Sequence, residues 1–122
     1  MADPRHDFGL RAEAAVATWL ERDGWTVLER RWRVAEGELD LVCLDPGSAL
    51  VGVEVRARRS GRSGSPLESV GSAHVRRLRA ALGRYAATST VRRSGIRLDL
   101  VGVVPDGDGR WRLTRQACVD GW

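Results

Sequence analysis

The sequence predicts an α/β fold in which helices flank a mixed β-sheet. Its elements follow in the order helix, three strands, helix and two strands, an order typical of helices packed on a sheet. The second and third strands are apolar runs rich in β-branched residues, and a turn containing Pro and Gly joins them as a hairpin. With 122 residues and no internal repeat, residues 1–122 are predicted to form a single domain with one core.

The composition indicates which partners and which cellular compartment to expect for this domain. All twenty basic residues are arginine and the net charge is +4, which favours polyanionic partners such as nucleic acid. No apolar run is long enough to span a bilayer and no signal-peptide pattern is present, so we expect a soluble cytoplasmic protein with no membrane partner. Cys43 and Cys118 lack metal-site spacing and are expected to be reduced, structural thiols.

The first helix is predicted at residues 8–23, after a polar and mobile lead-in at residues 1–7. A helical projection places five apolar side chains on its inner arc: Leu10, Ala14, Val16, Ala17 and Leu20. Glu13 lies within the same arc. It either extends to solvent and pairs with an arginine, or points towards an acidic face of the sheet.

The first strand, predicted at residues 25–32, carries a basic cluster. Arg30, Arg31 and Arg33 surround Trp32. Such a cluster is typical of a solvated sheet edge and only weakly indicates contact with phosphate.

The hairpin that follows has predicted strands at residues 37–44 and 50–56. Pro46 suits the first central position of its turn, and Gly47 is expected to adopt a positive φ. A five-residue loop pairs Leu44 with Leu50, whereas a four-residue loop slips the pairing by one residue. We predict the five-residue form.

That register creates an acidic face on the hairpin. It sets Asp40 opposite Glu54 and Glu38 opposite Arg56, all on one side of the sheet. The opposite side is predicted to be apolar: Leu39, Leu41, Val51, Val53 and Val55. Two facing carboxylates repel unless a positive charge lies between them, and oxygen ligands suit Mg²⁺ or Mn²⁺. The alternative is that Glu38 and Glu54 pair with arginines at a sheet edge.

Residues 57–65 are predicted as a flexible loop at the mouth of the acidic face. Arg58, Arg59 and Arg62 in this loop are candidates for contact with backbone phosphates, although the loop equally fits a purely solubilising role. A short helical turn is predicted at residues 66–70. Ser72 is the predicted N-cap of a second helix ending near Ala87.

The inner face of the second helix is predicted from apolar spacing: Val75, Leu78, Leu82 and Tyr85. His74 lies in the first turn, close to that face. In the next strand, residues 96–104, Arg97 and Asp99 share one side. Leu98 and Leu100 occupy the other. A turn at residues 105–109 leads to a last strand at 110–115, and its Asp-x-Asp-Gly is interpreted as turn chemistry rather than a calcium loop.

Taken in order, these motifs resemble a known family. They are Glu13, Gly37-Glu38-x-Asp40, Val53-Glu54-Val55-Arg56, Pro66-Leu67-Glu68-Ser69-Val70 and Arg97-x-Asp99-x-Val101. The set resembles the YraN-like family of bacterial proteins. That family is similar to the PD-(D/E)xK nuclease superfamily and especially to archaeal Holliday-junction resolvases. The resemblance implies a restriction-endonuclease-like mixed sheet flanked by helices.

The resemblance also implies roles for individual residues. Asp40 and Glu54 correspond to ligands of Mg²⁺ or Mn²⁺, Glu38 to an additional carboxylate, and Glu13 to a third acid supporting the metal or its water. Arg56 stands where the superfamily usually has a catalytic lysine. The chain departs from the family pattern also at Arg31 and His74, where Asn and Lys are common. We assign His74 with Arg58, Arg59 and Arg62 to nucleic-acid binding.

Three functional hypotheses follow. The first is metal-dependent hydrolysis of nucleic-acid phosphodiesters, with branched DNA as substrate and with Glu13, Asp40, Glu54 and Arg56 as the catalytic set. The second is a nucleic-acid-binding module without catalysis, because arginine cannot serve as a proton acceptor. The third is a structural or adaptor subunit. Analogy with resolvases, which act on two-fold symmetric junctions, implies a homodimer.

Overall fold

The computed structural model describes residues 3–60 and 70–117. Two helices and five strands are present in this part of the chain: α1 Pro4–Arg22, β1 Thr26–Val34, β2 Gly37–Leu44, β3 Ala49–Ala57, α2 Ser72–Thr88, β4 Gly95–Pro105 and β5 Trp111–Gln116. The predictions for Arg62, for the helical turn at 66–69 and for Cys118 lie outside the described residues. None of the described helices combines the length and apolarity needed to cross a bilayer.

The five strands form one mixed sheet in the order β1-β2-β3-β4-β5. All neighbours are antiparallel except β3 and β4, which run parallel because α2 connects them as a crossover. This confirms the predicted α/β class with a mixed sheet and flanking helices. The arrangement is consistent with a restriction-endonuclease-like fold.

Each helix covers part of the sheet over its own apolar layer. On one side α1 packs on Leu41, Val51 and Val53, and on the other α2 packs on Val42, Leu50 and Leu98. The predicted inner face of α2 is confirmed, since all four of its side chains are buried.

Helix α1 begins four residues earlier than predicted. Asp3 caps it by accepting a hydrogen bond from the backbone N–H of Arg5 at 3.0 Å, and Pro4 suits the first turn, so residues 4–7 are helical rather than a lead-in. The predicted inner arc was also wrong in part. Ala12 is fully buried, whereas Ala14 is exposed.

The hairpin has the predicted register, with Leu44 paired to Leu50 and Leu41 to Val53. Its turn differs from the prediction, because the positive φ of 68° belongs to Ser48 and not to Gly47. The Asp45 carboxylate accepts hydrogen bonds from the backbone N–H groups of Gly47 and Ala49, both at 2.9 Å, and thereby fixes the turn.

One strand residue faces the side opposite to the prediction. Leu39 packs in the α2 layer, although Leu41, two residues along the same strand, packs in the α1 layer. Regular alternation places such residues on one side. On the neighbouring strand β1, Arg31 has a φ of 53°, between Arg30, which pairs with Leu41, and Trp32, which pairs with Leu39. The change of side between Leu41 and Leu39 therefore occurs beside this left-handed residue.

Candidate functional site

Strands β2 and β3 separate at the point where the acidic residues begin. Their ladder ends at the Leu41–Val53 pair, and beyond it the backbone N–H of Val55 donates to Asp40 Oδ2 at 2.8 Å. A side chain thus takes the place of a backbone acceptor and holds the two strands apart. The opening created in this way is where the carboxyl groups meet.

Asp40 and Glu54 form a hydrogen-bonded carboxyl pair in this opening. Loss of hydration, the charge of Glu54 and the hydrogen bond between them raise the pKa of Asp40 to about 8. The Glu54 side chain is buried, and desolvation raises its pKa as well, although the hydrogen bond from Asp40 and the charge of Arg56 act in the opposite direction. At neutral pH Asp40 therefore keeps a proton and donates it to the Glu54 carboxylate.

Glu13 brings a third carboxyl group from helix α1. Partial burial, followed by the charge of Asp40, raises its pKa to about 7, while Arg31 acts to lower it. The charges of Asp40, Glu38 and Arg31 all act on Glu13, which is consistent with the interpretation that points it towards the acidic face. Three elements far apart in sequence contribute to one acidic cluster, which we define as Glu13, Asp40 and Glu54.

His74 orients Glu54 from the first turn of α2. Its Nε2 lies 2.6 Å from Glu54 Oε2, and Arg77 Nη2 lies 3.4 Å from its Nδ1. Desolvation and the charges of Arg56 and Arg77 lower the pKa of His74, which favours the neutral ring. This pattern assigns the proton to Nε2, so that His74 donates to Glu54 and accepts from Arg77. The sequence missed Arg77, although its spacing of three residues from His74 on a helix predicts contact.

Arg56 also reaches the cluster. Its Nη2 lies 3.4 Å from Glu54 Oε2. Its Nε is buried and has no hydrogen-bond partner among the described residues. A buried guanidinium N–H without an acceptor is costly, and a bound anion would satisfy it.

Glu38 does not lie opposite Arg56, so that part of the prediction was wrong. Its Oε2 accepts from Arg33 Nη2 at 2.6 Å and from Arg33 Nε at 3.0 Å, across the β1–β2 pair. The ladder between β2 and β3 has already ended at this position. Glu38 still lies near enough to raise the pKa of both Glu13 and Asp40.

The two described loop arginines contact groups outside the acidic cluster. Arg58 Nη1 donates to the Ala57 carbonyl at 3.2 Å. Arg59 stacks over the Phe8 ring at 4.4 Å and reaches the Pro4 carbonyl at 3.5 Å. Arg59 therefore packs against the first turns of α1.

Comparison with known proteins decides the family. The profile described as "Uncharacterised protein family UPF0102" matches residues 12–103, which include the acidic cluster and both helices for most of their length. The chain belongs to this family. This confirms the resemblance to YraN-like proteins, since that family and UPF0102 are the same.

Individual UPF0102 proteins match over most of their length. One from Anaeromyxobacter dehalogenans (strain 2CP-C) is 42% identical over 120 residues, which is 98% of this chain and 88% of the relative. One from Arthrobacter sp. (strain FB24) is 39% identical over 105 residues, 86% of this chain and 88% of the relative. A third, from Chlorobium chlorochromatii (strain CaD3), is 40% identical over 97 residues, 80% of this chain and 74% of the relative.

The donor set of this UPF0102 chain fits a hard divalent cation only in part. Within residues 3–60 and 70–117, no three or more His, Cys, Asp or Glu side chains are close enough to bind a metal ion as a group. Mg²⁺, however, is usually held by one or two carboxylates, with water and substrate phosphate completing its shell. Asp40 and Glu54 supply that minimum. Burial raises the pKa of both groups, so a cation would have to displace the proton that Asp40 keeps at neutral pH.

Proposed function

We propose that this protein hydrolyses phosphodiester bonds of nucleic acid, with branched DNA as its substrate, in a reaction that depends on Mg²⁺ or Mn²⁺. One observation carries the proposal. Carboxyl groups from α1, β2 and β3 contribute to one acidic cluster beside the end of the β2–β3 ladder, and burial raises the pKa of each although Arg56 lies 3.4 Å from Glu54. Clusters of this kind are typical of sites that act on charged ligands.

The residues of the cluster have distinct tasks in this proposal. Asp40 and Glu54 would hold the cation, which would supply Lewis acidity towards a phosphate oxygen and an attacking water. Glu13, whose pKa is about 7, is suited to accept a proton from that water near neutral pH. His74 keeps the Glu54 carboxylate in one orientation through its 2.6 Å contact.

Arg56 provides the phosphate contact. Its buried Nε–H has no described partner and would donate to a phosphate oxygen of the bound strand. Because a guanidinium remains protonated, Arg56 binds and stabilises negative charge but accepts no proton.

Cleavage assays test the proposal directly. Labelled four-way junctions, flaps, duplexes, single strands and RNA are incubated with Mg²⁺ or Mn²⁺, and products are resolved on denaturing gels. We expect Asp40→Asn and Glu54→Gln to abolish metal-dependent products. Asp106→Asn, which removes one acid from the exposed turn before β5, is the matched control and should retain them. Wild-type protein that cuts none of these substrates would refute the enzymatic proposal.

A second candidate function is a nucleic-acid-binding module without turnover, and Arg56 at the usual lysine position favours it. This alternative predicts binding that weakens steeply with salt and no metal-dependent product. The variant Arg56→Lys separates the two, because a module disabled only at this position should gain cleavage. Sedimentation with and without a four-way junction tests the homodimer that the resolvase analogy implies.

A further inference from the structure

A basic, aromatic groove lies along α1 on the flank opposite to the acidic cluster. It runs between α1 and the β4–β5 hairpin and encloses about 1040 Å³. On the other flank, charged residues of β1 and β2 shift the pKa of Glu13. On this flank, Phe8 packs against Trp111 of β5 with ring centroids 5.6 Å apart. Since β1 and β5 are opposite edges of the sheet, the two surfaces are separate.

Aromatic rings form the floor of this groove. Phe8 is buried between Trp111 and the guanidinium of Arg59, which lies 4.4 Å from the ring centroid. Trp19 and Trp111 are each only partly buried and line the groove. Partly exposed indole rings offer flat faces on which other rings can stack.

The walls of the groove carry an excess of positive charge. Within the part of the chain that the structure describes, four arginines and one acid, Asp108, line it. The arginines are Arg11, Arg22, Arg59 and Arg110. None of them forms an ion pair with any described residue, in contrast to Arg33 and Arg84, which pair with Glu38 and Glu36. Uncompensated guanidinium groups above aromatic faces are the pattern that single-stranded nucleic acids require.

We propose that this groove binds a single-stranded segment of nucleic acid, with bases stacked on Trp19 and Trp111 and phosphates contacted by Arg22 and Arg110. The groove volume of about 1040 Å³ lies at the upper end of the roughly 300–1,000 Å³ of small-molecule pockets, so the charge and the aromatic faces, and not the volume, favour a strand. The inference shares with the proposed function only the class of ligand. It needs no cation and no cleavage, so it remains valid if the acidic cluster proves inactive.

Fluorescence anisotropy with fluorescein-labelled oligothymidylate, in EDTA, tests this site. The double variant Arg22→Gln/Arg110→Gln should weaken binding and lower the slope of log K against log salt by about 0.7 for each lost phosphate contact. Trp111→Ala should weaken binding about 5- to 150-fold, the range for loss of one stacked base. Arg92→Gln, an exposed arginine in the connector before β4, is the control for charge and should bind as wild type.

Separate arms distinguish failure of this inference from failure of the proposed function. Asp40→Asn should keep full affinity for the oligothymidylate, and loss of binding in this variant would overturn the groove assignment. No binding by wild-type protein at low salt, or equal weakening by Arg92→Gln and by the double variant, would do the same. If sedimentation shows a dimer that Arg22→Gln/Arg110→Gln dissociates, the groove binds a second copy of the chain and the inference is wrong. Matching thermal melts of all arginine variants establish that folding is unchanged.

Discussion

Replacement of Asp40 by asparagine should stabilise the protein even though it removes a proposed metal ligand. Asparagine reproduces the shape of the protonated carboxyl group, can accept the hydrogen bond from the Val55 N–H, and can donate to Glu54. It carries no charge at any pH, so folding of the variant requires no proton at this buried position. Active sites often trade stability for function in this way.

The magnitude follows from the pKa of Asp40. In the unfolded chain this carboxyl titrates near its ordinary value of 3.8, and in the folded protein near 8. Protonating it at neutral pH costs up to about 4 kcal/mol, at 1.36 kcal/mol per pKa unit. Because Asp40 is partly exposed and its neighbours relax, we expect a gain of about 1–3 kcal/mol in the free energy of unfolding.

The sign of the pH dependence is fixed by linkage. Between the unfolded and folded pKa values the folded wild-type protein keeps a proton that the unfolded chain has lost, so wild-type stability falls as pH rises through this window. The stability of the Asp40→Asn variant should not fall in this way as pH rises. Its advantage should be absent below about pH 4 and should grow until about pH 8.

Urea denaturation in EDTA across this pH range measures the effect. Asp99→Asn is the contrasting control, because Asp99 is fully buried and accepts hydrogen bonds from Arg97 and Arg115 at 2.8 to 3.0 Å. That variant should lose about 3–5 kcal/mol. If Asp40→Asn is destabilised as Asp99→Asn is, or if its gain does not depend on pH, the account of a repulsive cluster is refuted.

Three further predictions concern the cluster and its surroundings. Mn²⁺ affinity should rise from about pH 6 to pH 8, with proton release in calorimetry, because Glu13 and Asp40 must ionise; a flat profile contradicts this. Arg31→Asn should raise the free energy of unfolding by about 1 kcal/mol, since asparagine tolerates the φ of 53°. Unfolding should be measured near pH 5, where Glu13 is protonated and loss of the Arg31 charge does not affect it. Gly52→Ala should lower the free energy of unfolding by about 1–3 kcal/mol in urea titrations, since its Cβ would lie 3.3 Å from Leu82 Cδ2. An unchanged urea midpoint would show that α2 shifts without cost to make room for the methyl group.

Several features of this protein could be predicted because neighbouring residues encode them. The length of the turn after Leu44 fixes the hairpin register, which ends at the Leu41–Val53 pair next to Asp40 and Glu54. The spacing of Val75 and Leu78 defines the buried side of α2. The ordered acidic motifs identify the family.

Other features depended on contacts between distant parts of the chain. Leu39 packs in the α2 layer, beside the left-handed Arg31 of the adjacent strand, and no pattern within β2 reveals this side. The pairing of His74 with Glu54 and the packing of Phe8 on Trp111 join elements that only the closed sheet brings together. Sequence periodicity determines which face of an element is buried, whereas the pKa of a carboxyl group depends on the charges and the water that the assembled fold leaves around it.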